Sequence, residues 1–265
     1  MSFAKINGAE IYYEVAGEGF PFVMLHAGIA SCKMWDPQFE HFAKSHRVIR
    51  YDLRGFGKTT APPMEYSNRD DLLGLLDFLG VERAAIMGCS MGGNIALDFT
   101  LEHPERVATL ILIAPGVSGH SISSPELQKM GDDVEAAIEA GDIDRAVELE
   151  MRMWVDGPKR TPDQVDPTIR SRVAAMDTAS MRINTEGYQP QRLHPPAIER
   201  LGEVRVPTLV IIGDADQPDL IELSYRLARE IPNAQLLELH DVAHLPNLER
   251  PEEVNQAIEN FPPRK

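Results

Sequence analysis

The strongest constraint in this sequence is a series of short, almost wholly apolar runs set between stretches of helical character. Phe22 to Leu25, Ala84 to Cys89, Ala108 to Ala114 (ATLILIA) and Pro207 to Gly213 (PTLVIIG) carry apolar or small residues at nearly every position. Such runs lack the apolar–polar alternation of a half-exposed strand and suit strands covered on both faces. Glu10 to Val15, Arg47 to Tyr51 and Ala234 to Leu239 add further strands. Between them, Ser67 opens a helix with Asp70 three residues on as its capping partner. Leu72, Leu73, Leu75, Leu76 and Leu79 give that helix an apolar face, and Gly80 stops it. Met91 to His103, Asp219 to Glu230 and Pro251 to Asn260 read as helices as well. Strand and helix in alternation predict an α/β fold, a mostly parallel twisted sheet flanked by helices on both faces.

One region breaks the rhythm. From about Gly116 to Val206 no strand-like run occurs, and polar helical stretches stand instead at Asp132 to Ala140 and Asp142 to Trp154. The expected organisation is a core of residues 1–116 and 203–265, with a helical cap of residues 117–202 inserted between core strands.

The totals exclude several functions. A net charge of −15 argues against a general nucleic-acid binder, which needs clustered Lys and Arg. The opening MSFAKINGAE has no basic segment leading into an apolar one, and every apolar run is far short of a membrane span. Two cysteines, Cys32 and Cys89, make neither a disulfide framework nor a metal cluster. The expectation is a cytoplasmic protein with free thiols, no metal, no cofactor, and no nucleic-acid or membrane partner. It would be a monomer or a homodimer.

The chemistry concentrates in MGCSMGG, residues 87–93. Gly88-Cys89-Ser90-Met91-Gly92 fits G-x-S-x-G with a buried strand before it and a helix after it. Glycines two positions either side relieve the crowding of a tight strand-to-helix turn, and the helix N-terminus favours negative charge developing beside Ser90. A nucleophilic serine needs a base and the base an orienting acid. His244, in DVAHLPNLE, lies between the last strand and the last helix, and His240 sits nearer the strand end. GDADQPD offers Asp214, Asp216 and Asp219 as the acid, with Asp219 also suited to capping a helix. The chain order Ser, Asp, His is the one expected of such a sheet. An oxyanion hole needs two N–H donors. Met91, directly after the nucleophile, supplies one, and the loop at Gly28, after LHAG, supplies the other.

These pieces resemble the α/β-hydrolase superfamily over nearly the full length. The matching segments are LHAG at 25–28, DLRGFGKT at 52–59, GCSMGG at 88–93, GDAD at 213–216 and VAHLPNLERPEE at 242–253. The resemblance implies the α/β-hydrolase fold, with Ser90 as nucleophile, Asp216 as acid, His244 as base, and Gly28 and Met91 as oxyanion donors. The family's G-x-x-D pattern selects Asp216 over Asp214. Asp52, Arg54, Gly55 and Gly57 match a turn that usually gives structural support. Ala27 departs from the commoner glycine after the strand-end histidine.

Serine, rather than the aspartate of dehalogenases and epoxide hydrolases, implies acyl transfer on a small-molecule ester. The nearest look is to serine carboxylesterases and enol-lactonases. Enol-lactone or C–C-bond hydrolysis, cofactor-free perhydrolysis and a triad-retaining ligand receptor are the alternatives. Ile29, Met34, Trp35, Cys89 and Trp154 are the candidate walls of an apolar acyl pocket, against the plainer reading that they pack the core.

Overall fold

The computed structural model describes residues 2–261. Ten strands follow in chain order: β1 (Ser2–Ile6), β2 (Ala9–Ala16), β3 (Phe20–Leu25), β4 (His46–Tyr51), β5 (Glu65–Tyr66), β6 (Ala84–Cys89), β7 (Val107–Ile113), β8 (Gln189–Pro190), β9 (Thr208–Gly213) and β10 (Ala234–Leu239). Eight of them form one sheet in the order β1-β2-β4-β3-β6-β7-β9-β10. β1–β2 and β2–β4 are antiparallel, and every other neighbouring pair is parallel. The mostly parallel sheet expected from the apolar runs is present.

Helices cover both faces, and the strands show why. Val23, Leu25, Ile49, Ile86, Leu110, Leu112 and Val210 join one buried cluster, with Leu72, Leu75 and Leu76 of α2 (Asn68–Phe78), Ile95 and Phe99 of α3 (Met91–Glu102), and Leu223 and Leu227. Their sequence neighbours Phe22, Met24, Val48, Met87, Ile111, Ile113, Leu209 and Ile211 join the other, with Phe42 of α1 (Asp36–Phe42) and Val254 and Ile258. Alternation along each strand sends successive side chains to opposite faces. Because both faces are covered, the central strands β3, β6, β7 and β9 carry no charged residue. Ser67 caps α2 as expected, its side chain accepting the Asp70 N–H.

Parallel strands put their carboxyl ends along one edge. β3 leads there into His26, β6 into Ser90, β9 into Asp214 and Asp216, and β10 into His240 and His244.

Between β7 and β9 lie α4 (Pro125–Glu139), α5 (Ile143–Glu150), a π-helical turn over Met151–Asp156, and α6 (Pro167–Met181). Three differences from expectation fall in this segment. The helix expected to run to Trp154 widens into the π turn. α6 was not foreseen. The segment also contributes β8, which pairs in parallel with β5. α7 (Pro218–Glu230), α8 (Pro246–Glu249) and α9 (Pro251–Asn260) complete the chain. Among the described residues no helix is long and apolar enough to cross a membrane.

Candidate active site

Ser90 occupies the tight turn between β6 and α3 with φ 52° and ψ −114°. A non-glycine residue there is strained by roughly 1–3 kcal/mol, so the surroundings must hold it. They do so from three sides. The Ser90 N–H donates to Ile113 O at 3.0 Å, and its carbonyl accepts N–H groups from Asn94 and Gly116, both at 3.0 Å. The flanking glycines are obligatory. A Cβ on Gly88 would overlap the Gly92 carbonyl, and one on Gly92 would overlap the carbonyls of Leu25 and His26.

The structure separates the acid–imidazole pairs that spacing left open. Nδ1–H of His244 donates to Asp216 Oδ2 at 2.9 Å, and the Gln217 N–H donates to Asp216 Oδ1 at 2.7 Å. Both oxygens of this fully buried carboxylate are therefore engaged. Two residues earlier, Asp214 pairs instead with His240 at 2.7 Å. The imidazoles differ decisively in setting: the His240 side chain is 93% exposed and that of His244 is 2% exposed. Asp219 is no N-cap. It lies in the first turn of α7 and accepts N–H groups from Ser123 and Ser124.

The loop carrying His244 is held from the inserted segment. Its N–H donates to Trp154 O at 3.3 Å, and the Trp154 ring packs on the imidazole with centroids 4.6 Å apart. Arg160 forks onto Glu249 at 2.6 and 3.2 Å, while Glu249 accepts the Ala243 N–H at 2.9 Å. Among the described residues no hydrogen bond joins Ser90 Oγ to His244. Hydrogen bonds of this kind are often long before substrate binds and tighten in the substrate complex.

Gly28 and Met91 come together, as a Cβ on Gly28 would lie 3.9 Å from Met91 Cβ. Neither N–H donates to a backbone carbonyl among the described residues. Beneath them, buried His26 accepts the Leu53 N–H at Nε2 (3.0 Å) and meets Ala27 O through Nδ1 (2.8 Å), fixing the strand-end loop. Burial holds its pKa low, so the ring is neutral and can accept. Asp52 has the supporting role expected of its turn, taking the N–H groups of Cys32 and Lys58 at 2.8 Å each.

Of the five candidate pocket walls, Ile29, Met34, Trp35 and Cys89 are buried in the apolar cluster with α1. Met34 Sδ accepts the Ala27 N–H, and Cys89 Sγ–H points to His244 O at 3.8 Å. Both cysteines are free thiols. Trp154 lines a cavity, beside Glu150.

A cavity of about 460 Å³ reaches Gly28 from the other side. Its walls include Gly55, Phe56 and Tyr66 from the core, and Glu150, Asp177 and Met181 from the inserted helices. A second, of about 760 Å³, reaches Met91, Asn94 and Gly116. Glu150 and Asp177 were missed in the sequence. Asp177 carried a readable signal, since Val173, Asp177 and Ser180 fall on one buried helical stripe where an acid is out of place.

The sheet order and the strand–turn–helix at Ser90 define an α/β hydrolase fold, and the chain belongs to the α/β hydrolase fold family, whose model matches residues 21–251. It is 27% identical to a 2-hydroxy-6-oxo-6-phenylhexa-2,4-dienoate hydrolase of Comamonas testosteroni over 98% of this chain and 95% of that one. Among solved structures it is similar to the enol-lactonase of Burkholderia xenovorans LB400, at 26% identity and a TM-score of 0.80, covering 98% of this chain and 99% of that one. It is also similar to a thermophilic esterase of Thermogutta terrifontis, at 26% identity and a TM-score of 0.79, covering 98% of each.

Proposed function

We propose that the protein is a serine hydrolase of carboxylic esters working through an acyl-enzyme. The observation that carries the reading is the buried Asp216–His244 pair at the same sheet edge as the strained Ser90 turn. Nε2 of His244 takes the Ser90 proton as Oγ attacks the substrate carbonyl carbon, while Asp216 stabilises the imidazolium. The Gly28 and Met91 N–H groups hold the charge on the carbonyl oxygen. Collapse breaks the ester C–O bond, and the leaving alcohol takes the proton from His244. Water then repeats the sequence on the acyl group and frees Ser90. Residues 117–202 act as the cap that shapes the substrate cavity.

The test is turnover of 4-nitrophenyl esters of graded acyl length. Ser90→Ala is expected to lower kcat by about 10⁴-fold, the scale of losing a triad member. Near-native turnover in that variant would remove Ser90 from the mechanism.

The similarity to a dienoate hydrolase favours C–C-bond hydrolysis as a second reading, with the same three residues. The similarity to an esterase and an enol-lactonase of known structure, each at 26% identity, weighs toward the ester. Cleavage of a 2-hydroxy-6-oxo-dienoate at a rate exceeding that of every ester would reverse the preference.

A further inference from the structure

Two carboxyl groups face the cavity that reaches Gly28, and neither pairs with a Lys or Arg among the described residues. Asp177 is 2% exposed, its Oδ2 is buried without a hydrogen bond, and it forms no salt bridge among the described residues. Glu150, half-buried at the end of α5, takes a hydrogen bond from the Trp154 side chain and keeps Oε2 buried and unpartnered. Both line the same void. Unpaired buried carboxyls destabilise a fold, and native proteins leave few such groups unsatisfied.

Three donor-bearing side chains in the cavity wall are committed elsewhere. The Arg54 guanidinium forks onto buried Asp71 at 2.6 and 2.8 Å, so its charge is neutralised within the core. Ser180 Oγ donates to Met176 O at 3.1 Å, and Tyr188 OH donates to Ala61 O at 2.6 Å. None of the three leaves a positive charge free to meet the two carboxyls.

We infer that this cavity selects a substrate bearing a primary ammonium group, with Asp177 and Glu150 as its acceptors. The inference rests on the proposed site, since the cavity reaches Gly28, but it makes a separate claim about recognition. A primary ammonium carries three donors on a compact charge, enough to satisfy both carboxyls at once. Burial and the neighbouring Glu150 charge push Asp177 up to about 8, so the empty cavity stores a proton that an arriving ammonium displaces.

Calorimetric titration of the native protein with hexylammonium, hexanol and hexanoate tests the claim without needing turnover. Hexylammonium is expected to bind at least tenfold more tightly than hexanol, and hexanoate more weakly than either. Asp177→Asn and Glu150→Gln, each checked for a native unfolding transition, should each reduce the ammonium-to-hexanol ratio at least fivefold. Hexylammonium should also inhibit Ser90-dependent ester hydrolysis competitively. Equal binding of hexylammonium and hexanol, a ratio that survives both substitutions, or binding without competition would each overturn it. If no ester is turned over at all, the functional reading falls while the titration still decides the ammonium question.

Discussion

On the sheet side of the site, Asp216 gives one oxygen to His244 and the other to the Gln217 N–H, and Glu249 closes a fork with Arg160. On the side built by the inserted helices, buried Asp177 and half-buried Glu150 each hold an unpartnered oxygen. The contrast separates two uses of a buried acid. A carboxylate whose partners are all in the chain orients a catalytic group before substrate arrives. One left open raises the energy of the empty protein and is satisfied by whatever enters.

The largest effect should come from the paired side. Asp216→Asn is expected to lower kcat by about 10³ to 10⁴-fold by favouring the wrong imidazole tautomer, measured on a 4-nitrophenyl ester. Asp214→Asn, two residues away in the exposed pair, should stay within about twofold. Equal losses in the two would erase the distinction between the pairs.

Backbone crowding gives the next test. Gly92→Ala places a methyl group against the Leu25 and His26 carbonyls and should lower Tm by about 5 °C or more, or prevent folding. Gly131, in α4 with nothing within 4 Å, supplies the opposite case. There alanine should raise stability by about 0.5–1 kcal/mol through helix propensity, read from chemical denaturation.

The open side predicts an unusual pH dependence. Asp177 is held at about 8 in the fold by burial and by Glu150, far above the ordinary carboxylate value. The native state thus keeps a proton that the unfolded chain releases, so stability falls as pH rises from about 4 to about 8. Asp177→Asn should flatten that slope and raise Tm at pH 9 by about 3 °C or more, shown by thermal unfolding across pH. An unchanged slope would mean that Asp177 is not the group holding the proton.

The sheet was legible because burial on both faces leaves no room for polar residues in β3, β6, β7 and β9. α6 was not, because polar Asp177 and Ser180 occupy its buried stripe beside Val173. β8 is two residues long and exists through its pairing with β5, a contact no local pattern announces. At the site, the Ser90 turn was readable since its glycines are a steric requirement. Spacing left Asp214, Asp216 and Asp219 open and the family's G-x-x-D pattern selected Asp216, whereas the pairing of each with its own imidazole or N–H groups is visible only in three dimensions. A shift of two residues along one loop exchanges a solvent-exposed imidazole for a sequestered one. Ile29, Met34, Trp35 and Cys89, named as pocket walls from apolarity, are packed into the core, while the void that reaches Gly28 is walled by Phe56, Tyr66 and Met181 together with the acids Glu150 and Asp177.

The grip of Trp154 O and Arg160 on the loop around His244 bears on how such proteins can be re-engineered. Exchanging residues 117–202 for the corresponding piece of a relative would change more than the shape presented to substrate. The graft would have to bring its own carbonyl and its own guanidinium to the same two places. Without them, the transplanted chimera would keep the Asp216 contact to His244 but lose the anchors of the loop that carries it.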